Sequence, residues 1–132
     1  MVTEDYVSFE IAKLLKEKGF YSEDCFAFYN ENGNIGFLQT FGDMSDYLGD
    51  NNSVDAPTLQ MALKWLREVH HYYIQIMLDS WACGGHLGYY VVIQKTDSDF
   101  EIMLQDVIDE VFYQTYEESC EAALLYVLKN LI

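Results

Sequence analysis

The chain has few basic residues, and this scarcity limits the partners that it can bind directly. Seven Lys and Arg stand against 22 Asp and Glu in 132 residues, which gives a formal net charge of −15. The segments 19–63 and 97–121 contain acids but no base. Because affinity for nucleic acid depends on cations that neutralise phosphates, we expect no direct binding of DNA or RNA. The acidic surface serves solubility or meets a basic protein partner.

Long apolar runs and a disulfide framework are also missing. No uninterrupted run of about 18 apolar residues occurs, and the opening MVTEDYVSFE carries acids where a secretory signal has bases. We therefore expect a soluble, cytoplasmic protein that does not associate with membranes. The three cysteines, Cys25, Cys83 and Cys120, are widely spaced and odd in number, so we expect reduced and mostly buried thiols.

What remains suits one globular domain over residues 1–132. Hydrophobic residues make up 51% of the chain and aromatic residues 16%, which is enough for a single core. The apolar spacing predicts the order helix, hairpin, helix, hairpin, helix. Antiparallel hairpins separated by helices predict an α+β fold, with one four-stranded sheet packed against three to four helices.

The three main helices are indicated by capping residues and by apolar residues at steps of three and four. Ser8 is a suitable N-cap for the first helix, and Gly19 is placed to end it. Asp55 is the expected N-cap of the second, and Thr115 with Glu118 forms a capping box for the last. The apolar stripes are Ile11, Leu14 and Leu15; Leu59, Ala62, Leu63 and Leu66; and Cys120, Ala123, Leu124 and Leu128.

Two hairpins follow from alternating apolar residues and turn residues. In CFAFYNENGNIGFLQ the dipeptide Asn32-Gly33 predicts a type I′ turn. The runs YYIQIMLDS and GYYVVIQK predict the second hairpin, with WACGGHL as its loop. One face of this hairpin would carry Tyr72, Ile74, Ile76, Leu78, Tyr89, Val91 and Ile93.

The other face of the second hairpin is the candidate interaction surface. Tyr73, Met77 and Tyr90 project from it together with Gln75 and Gln94. The segment 100–112, from Phe100 to Phe112, has apolar residues at helical steps, although part of it could be extended. A helix here would cover the aromatic surface. Without that cover, the surface suits protein contact, and a homodimer is the simplest way to bury it.

The stretch WACGGH contains the one cysteine and histidine at metal-ligand spacing, Cys83 and His86. The obvious second pair, His70 and His71, begins the strand whose far end leads into this loop. At 3.3 Å per residue the strand separates the two pairs by roughly 30 Å, so they cannot share a metal ion. We expect no metal and no cofactor. Nucleophilic catalysis by Cys83 and His86 is a weaker alternative, because the loop offers no evident orienting group.

Three stretches, EIAKLLKEKGF, APTLQMALKWLREVHH and EESCEAALLYVLKNLI, resemble a group of short proteins encoded by gut Bacteroides-type genomes, their phages and mobile elements. The stretches cover roughly a third of the chain and consist mainly of its helices. The resemblance implies a genomic setting, and it implies no activity because it contains no functional motif.

The residues therefore favour a non-enzymatic module that binds a protein, with a basic partner suited to the charge. Two alternatives stay open. One is a small enzyme or ligand-binding module that uses the loop from Trp81 to His86. The other is a structural or assembly subunit.

Overall fold

The computed structural model describes residues 2–37, 53–79, 88–108 and 112–132. Within these ranges lie four helices and six strands, which make two three-stranded antiparallel sheets. The predicted α+β class is confirmed. The chain divides into two compact units, Met1–Thr58 and Leu59–Ile132. The single domain over residues 1–132 stays a prediction.

The first unit begins with helix α1, Phe9–Glu17, whose two ends are formed as predicted. The Ser8 hydroxyl oxygen accepts a hydrogen bond from a backbone N–H of the first turn at 3.3 Å. At the other end Gly19 has a φ of 90°, and the Phe20 N–H donates to the Leu15 carbonyl at 2.9 Å. This left-handed termination satisfies carbonyls that the helix leaves unpaired.

The first sheet contains strands β1, Ala27–Tyr29, β2, Ile35–Phe37, and β3, Val54–Asp55, in the order β2-β1-β3. Helix α1 packs beside β3. The prediction of Asp55 as a helix N-cap is wrong, because Asp55 pairs with Phe28 in the ladder between β3 and β1. A strand of two residues is too short to show alternation in sequence.

The turn between β1 and β2 is organised by the side chain of Asn30. Its carbonyl oxygen accepts from the backbone N–H groups of Asn32 at 2.9 Å and Asn34 at 3.0 Å. The Gly33 N–H donates to the Asn30 backbone carbonyl at 3.0 Å. The hairpin is confirmed, but the type I′ turn is wrong, because that turn needs two positive φ angles and only Gly33 has one.

The second unit contains three helices and three strands among its described residues. They are helix α2, Leu59–Val69, strands β4, Tyr72–Asp79, β5, Gly88–Lys95, and β6, Glu101–Met103, and helices α3, Leu104–Val107, and α4, Tyr116–Asn130. The sheet order is β4-β5-β6. Helices α2 and α4 pack against each other and against this sheet. The buried residues of α2 are the predicted stripe, Leu59, Ala62, Leu63 and Leu66.

The prediction of one four-stranded sheet is wrong, because each hairpin has its own third strand. In the first unit β3 adds beside β1, the first strand of its hairpin. In the second unit β6 adds beside β5, the second strand of its hairpin. The second hairpin itself is confirmed, with a continuous register from Tyr72 opposite Lys95 to Asp79 opposite Gly88.

The segment from Phe100 to Phe112 is not one covering helix. Its first part is extended, as β6, and only the single turn of α3 is helical among the residues described there. Pairing with β5 resumes further on, where Tyr113 and Tyr89 exchange backbone hydrogen bonds of 2.8 and 2.9 Å. An unbroken ladder would instead place Asp106 opposite Tyr89. The third strand is therefore interrupted by a helical excursion.

Gln105 fills the gap that this excursion leaves beside β5. Its side-chain oxygen accepts a hydrogen bond from the Val91 N–H at 3.1 Å, and the side chain is buried. The bond replaces one that the interrupted strand would have accepted. A buried backbone N–H without a partner costs about 1–3 kcal/mol. The bond to the Val91 N–H therefore explains why a polar residue, Gln105, occupies this buried position.

Helix α4 confirms the Thr115 cap but not the complete capping box. The Thr115 hydroxyl oxygen accepts from the Glu118 N–H at 3.1 Å, as predicted. The Glu118 carboxylate accepts from the Gln114 N–H at 3.3 Å, one residue further back than a capping box requires. The predicted stripe of Cys120, Ala123, Leu124 and Leu128 is buried.

Candidate functional site

The outer face of the second sheet carries the candidate surface. The register of β4 and β5 places Tyr73 opposite Gln94 and Met77 opposite Tyr90, on the face away from the buried Val91 and Ile93. Tyr73 is 40% exposed and Met77 is 38% exposed. Strand β6 extends this face with Met103, which lies opposite Val92 and is 37% exposed. The result is an exposed strip of aromatic and thioether side chains.

Tyr90 is more enclosed than the other two predicted surface residues. The Phe112 ring meets it edge to face, with centroids 6.1 Å apart and planes at 83°. Phe112 therefore provides cover at the Tyr90 end of the face. Tyr73, at the other end, and Met77, directly opposite Tyr90 on β4, keep their exposure.

A cleft of about 370 Å³ opens beside Tyr73, where β5 turns into β6. The Asp99 and Glu101 side chains are exposed there, and the Phe100 ring is half-buried with an edge-to-face contact to Tyr72 at 6.1 Å. Polar and aromatic groups thus share one opening. Its lining residues are Tyr73, Gln94, Lys95, Thr96, Ser98, Asp99, Phe100 and Glu101.

The one basic residue of the lining, Lys95, already has a carboxylate and an aromatic ring near its amine. The Lys95 amine lies 3.9 Å from a carboxylate oxygen of Asp97 and 5.7 Å from the Tyr72 ring centroid. The Asp97 carboxylate therefore offsets the Lys95 charge, so the carboxylates of Asp99 and Glu101 leave the cleft with net negative charge.

Two glutamines bridge the strands across the outer face. The Gln75 amide donates to the side-chain oxygen of Gln94, and the Gln94 amide donates to a Glu101 carboxylate oxygen at 3.4 Å. This relay runs from β4 to β6 and ends on a carboxylate of the cleft. It helps to hold that carboxylate in the lining that also includes Tyr73.

The predicted alternative site, Cys83 and His86 in the loop from Trp81 to His86, lies outside the described residues. His70 and His71 immediately precede β4, and the whole ladder from Tyr72 to Asp79 separates them in sequence from that segment. Across the four described ranges, no three Cys, His, Asp or Glu side chains come together in a way that could hold a metal ion. None of the helices in those ranges has the length and apolar character needed to span a membrane.

The two described thiols are free and poorly suited to act as nucleophiles. Burial, reinforced by the Asp55 carboxylate, raises the pKa of Cys25 from 9.0 to about 11. Burial, reinforced by the carboxylates of Glu117 and Glu121, raises the pKa of Cys120 to about 11. A reactive cysteine needs a lowered pKa, because the thiolate is the attacking form. Both thiols are therefore protonated at neutral pH.

We expect iodoacetamide to modify Cys25 and Cys120 about 100-fold more slowly in the folded protein than in urea at pH 8, since the thiolate fraction falls tenfold per pKa unit. A Cys83→Ser background removes the third thiol, and mass spectrometry follows each site. Folded thiols that react as fast as unfolded ones contradict this assignment.

Because both folded pKa values lie above the ordinary 9.0, the contribution of the two protonated thiols to stability is complete below pH 9.0 and is lost as the pH rises through about 11.

The cleft residues Asp99, Phe100 and Glu101 are functional candidates that the sequence pattern conceals. They begin or adjoin the segment whose spacing predicts a helix, and the exposed face of β6 is visible only once its pairing with β5 is known. The one local signal is the polar turn sequence KTDSD.

Comparisons with protein-family models, with curated proteins and with solved structures found no match for this chain.

Proposed function

We propose that the protein is a non-enzymatic interaction module that binds a basic protein through the outer face of its second sheet. The observation that carries this proposal is the position of Tyr73, which is 40% exposed and forms one wall of the acidic cleft. An exposed aromatic ring beside carboxylates is suited to a protein cation.

The chemistry of the cleft fits an arginine or lysine side chain of the partner. Its cationic group can lie over the Tyr73 ring and pair with the carboxylates of Asp99 and Glu101. Arginine suits this arrangement best, because its planar head can stack on the ring and bind a carboxylate at the same time. The phenol ring and the carboxylates then act on one group.

Met77 and Met103 supply the apolar part of the same surface. Both are more than a third exposed on the outer face. Methionine side chains are flexible and polarizable, so they fit partners of varied shape. The charge of −15 draws a basic partner towards the protein, and the aromatic cleft fixes its position.

The setting that we propose is a phage or mobile element of a Bacteroides-type host, on the strength of the resemblance of the helical segments. A small acidic protein in that setting could occupy the basic surface of a host protein.

The test compares charge reversal in the cleft with the same reversal elsewhere. A tagged protein should capture a basic protein from the lysate of a Bacteroides-type host. The double variant Asp99→Lys/Glu101→Lys should lower that capture by about tenfold or more, because it places two like charges against the partner's cation. The matched control is Glu23→Lys/Asp24→Lys, which makes the same change in net charge at two exposed residues of the first unit.

The control variant should retain most of the capture. Equal losses in both variants would show that the interaction depends on net charge and not on the cleft. Unchanged capture by the cleft variant would contradict the proposal directly. Circular dichroism of each variant confirms that the fold is intact.

A further inference from the structure

The free edge of β4 carries a further inference. The sheet order places this strand at one edge, and no strand within the described ranges pairs with its outer side. Proteins usually protect a long edge strand with charged residues, proline or a bulge. From Tyr72 to Leu78 this strand, YYIQIML, has no charge, no proline and no glycine, and its register with β5 is continuous.

The backbone groups that face this edge follow from the hydrogen bonds on either side of β5. The Thr96 N–H donates to the His71 carbonyl at 2.7 Å, which makes that opposing pair a bonded one. Bonded and non-bonded pairs alternate along an antiparallel ladder. Tyr73, Gln75 and Met77 therefore bond to β5, and the outward N–H and C=O groups belong to Tyr72, Ile74, Ile76 and Leu78.

The neighbouring ladder agrees with this alternation. On the β6 side of β5 the N–H groups of Lys95, Val91 and Tyr89 donate to Phe100, Gln105 and Tyr113. The three donors, Lys95, Val91 and Tyr89, lie opposite Tyr72, Ile76 and Leu78. In these pairs the backbone N–H and C=O groups of both residues therefore point away from the interface between β4 and β5. The free edge thus presents four regularly spaced pairs of donors and acceptors.

We infer that β4 pairs antiparallel with β4 of a second copy of this chain, which joins two three-stranded sheets into one of six strands. An antiparallel strand paired with itself has a twofold axis, so one edge supplies both sides of the interface. Two chains of net charge −15 repel each other, and this uncharged strand is a strip where they can meet. The opposite edge, β6, has three residues and cannot extend the sheet in the same way.

The pairing that uses the whole edge has its twofold axis at Gln75. The four outward-facing residues then pair among themselves, Tyr72 with Leu78 and Ile74 with Ile76 of the second copy. On the outer face Tyr73 lies opposite Met77 of the second copy, an aromatic and thioether pair. Gln75 lies opposite Gln75 of the second copy, so two uncharged side chains meet at the axis.

This edge dimer differs from the face dimer that the sequence predicts through Tyr73, Met77 and Tyr90. It keeps the outer face of the sheet open, so it is compatible with the proposed binding of a basic partner. It does not depend on that proposal, because backbone groups form the interface.

The test is the mass in solution by light scattering at about 0.1 mM chain and 0.15 M salt, where the screening length is about 8 Å. The natural protein should give close to twice the 15.4 kDa chain mass. Gln75→Lys should give the monomer mass, because two ammonium groups meet at the axis. The matched control is Met103→Lys, which adds the same charge to the same face on β6, the strand furthest from the inferred interface, and it should remain dimeric.

A second variant tests the register. Tyr73→Lys/Met77→Glu brings opposite charges together across the inferred interface, and it should remain dimeric. In the natural protein, amide exchange at Ile74 and Ile76 should slow as the protein concentration rises, whereas exchange at Gln75 should not change. This readout does not depend on whether a variant folds.

A natural protein of monomeric mass overturns the inference. So does an exchange rate at Ile74 and Ile76 that is independent of concentration. Dissociation of Met103→Lys together with Gln75→Lys would point to the outer face as the interface, and it would equally overturn pairing through the edge.

Discussion

Truncating Leu124 to alanine is expected to lower the free energy of unfolding by about 2–5 kcal/mol. Leu124 is fully buried on α4, the helix that packs against α2 and the second sheet. The substitution removes its buried methyl groups and leaves a cavity that the packed neighbours fill only in part.

The matched control is Leu125→Ala, on the next residue of the same helix. Leu125 is only half-buried, so the same change removes less buried apolar surface and leaves no enclosed cavity. We expect about 1 kcal/mol there. Urea denaturation followed by circular dichroism measures both values. Similar losses in the two variants would contradict the orientation of α4.

Gly33→Ala is expected to lower the free energy of unfolding by about 2–4 kcal/mol, because two costs add at one residue. Its φ of 82° is unfavourable for any residue with a Cβ atom. That Cβ would also lie 2.8 Å from Cδ2 of the Phe9 ring. The ring cannot easily withdraw, since it is packed against Tyr29 at 5.4 Å and lies 4.5 Å from the Lys13 amine.

Gly19→Ala separates the two costs. Gly19 has a similar φ of 90°, but no atom lies within 4 Å of the position that its Cβ would take. The expected loss is therefore the conformational cost alone, about 1–2 kcal/mol. A loss at Gly33 no greater than that at Gly19 would show that the Phe9 contact is not restrictive. Thermal unfolding of the two variants gives the comparison.

The sequence predicts those elements that depend on local signals. The Ser8 and Thr115 caps, the termination at Gly19 and the buried stripe of α2 are all set by residues within one or two helical turns. The second hairpin is also predictable, because its alternation extends over eight residues in each strand. In each case the deciding residues lie within the element itself or next to it.

The differences arise where pairing with another strand decides the outcome. The spacing in residues 100–112 favours a helix, with part of the segment left open as extended, and Glu101–Met103 is that extended part because it pairs with β5. Val107 and Ile108 are exposed in spite of their helical spacing. Asp55 has the chemistry of a cap, but it pairs with Phe28. Neither pairing is visible in the local spacing of apolar residues. The single four-stranded sheet is wrong for the same reason.

The candidate site is predictable only in part. Alternation along β4 and β5 is enough to place Tyr73 and Met77 on one face. The cleft also needs the turn into β6, which brings Asp99 and Glu101 into the same lining as Tyr73. The free edge of β4 needs the sheet order, which no local pattern contains.

The edge dimer changes how the protein can bind its partner. Pairing at Gln75 places both outer faces on the same side of the six-stranded sheet, since Gln75 meets Gln75 of the second copy on that side. Two acidic clefts then face one partner surface. A partner with two suitably spaced basic residues would bind more tightly than a single cleft allows, because the second contact is intramolecular.

Mapping by nuclear magnetic resonance tests the central claim, that the outer-face cleft binds a basic protein segment, most directly. The labelled protein is titrated with a short arginine-rich peptide at about 0.15 M salt, where long-range attraction is screened. We predict shifts concentrated at Tyr73 and at residues 94–101, and their loss in Asp99→Lys/Glu101→Lys. Shifts spread evenly over the acidic residues of both units, or none at Tyr73, would contradict it.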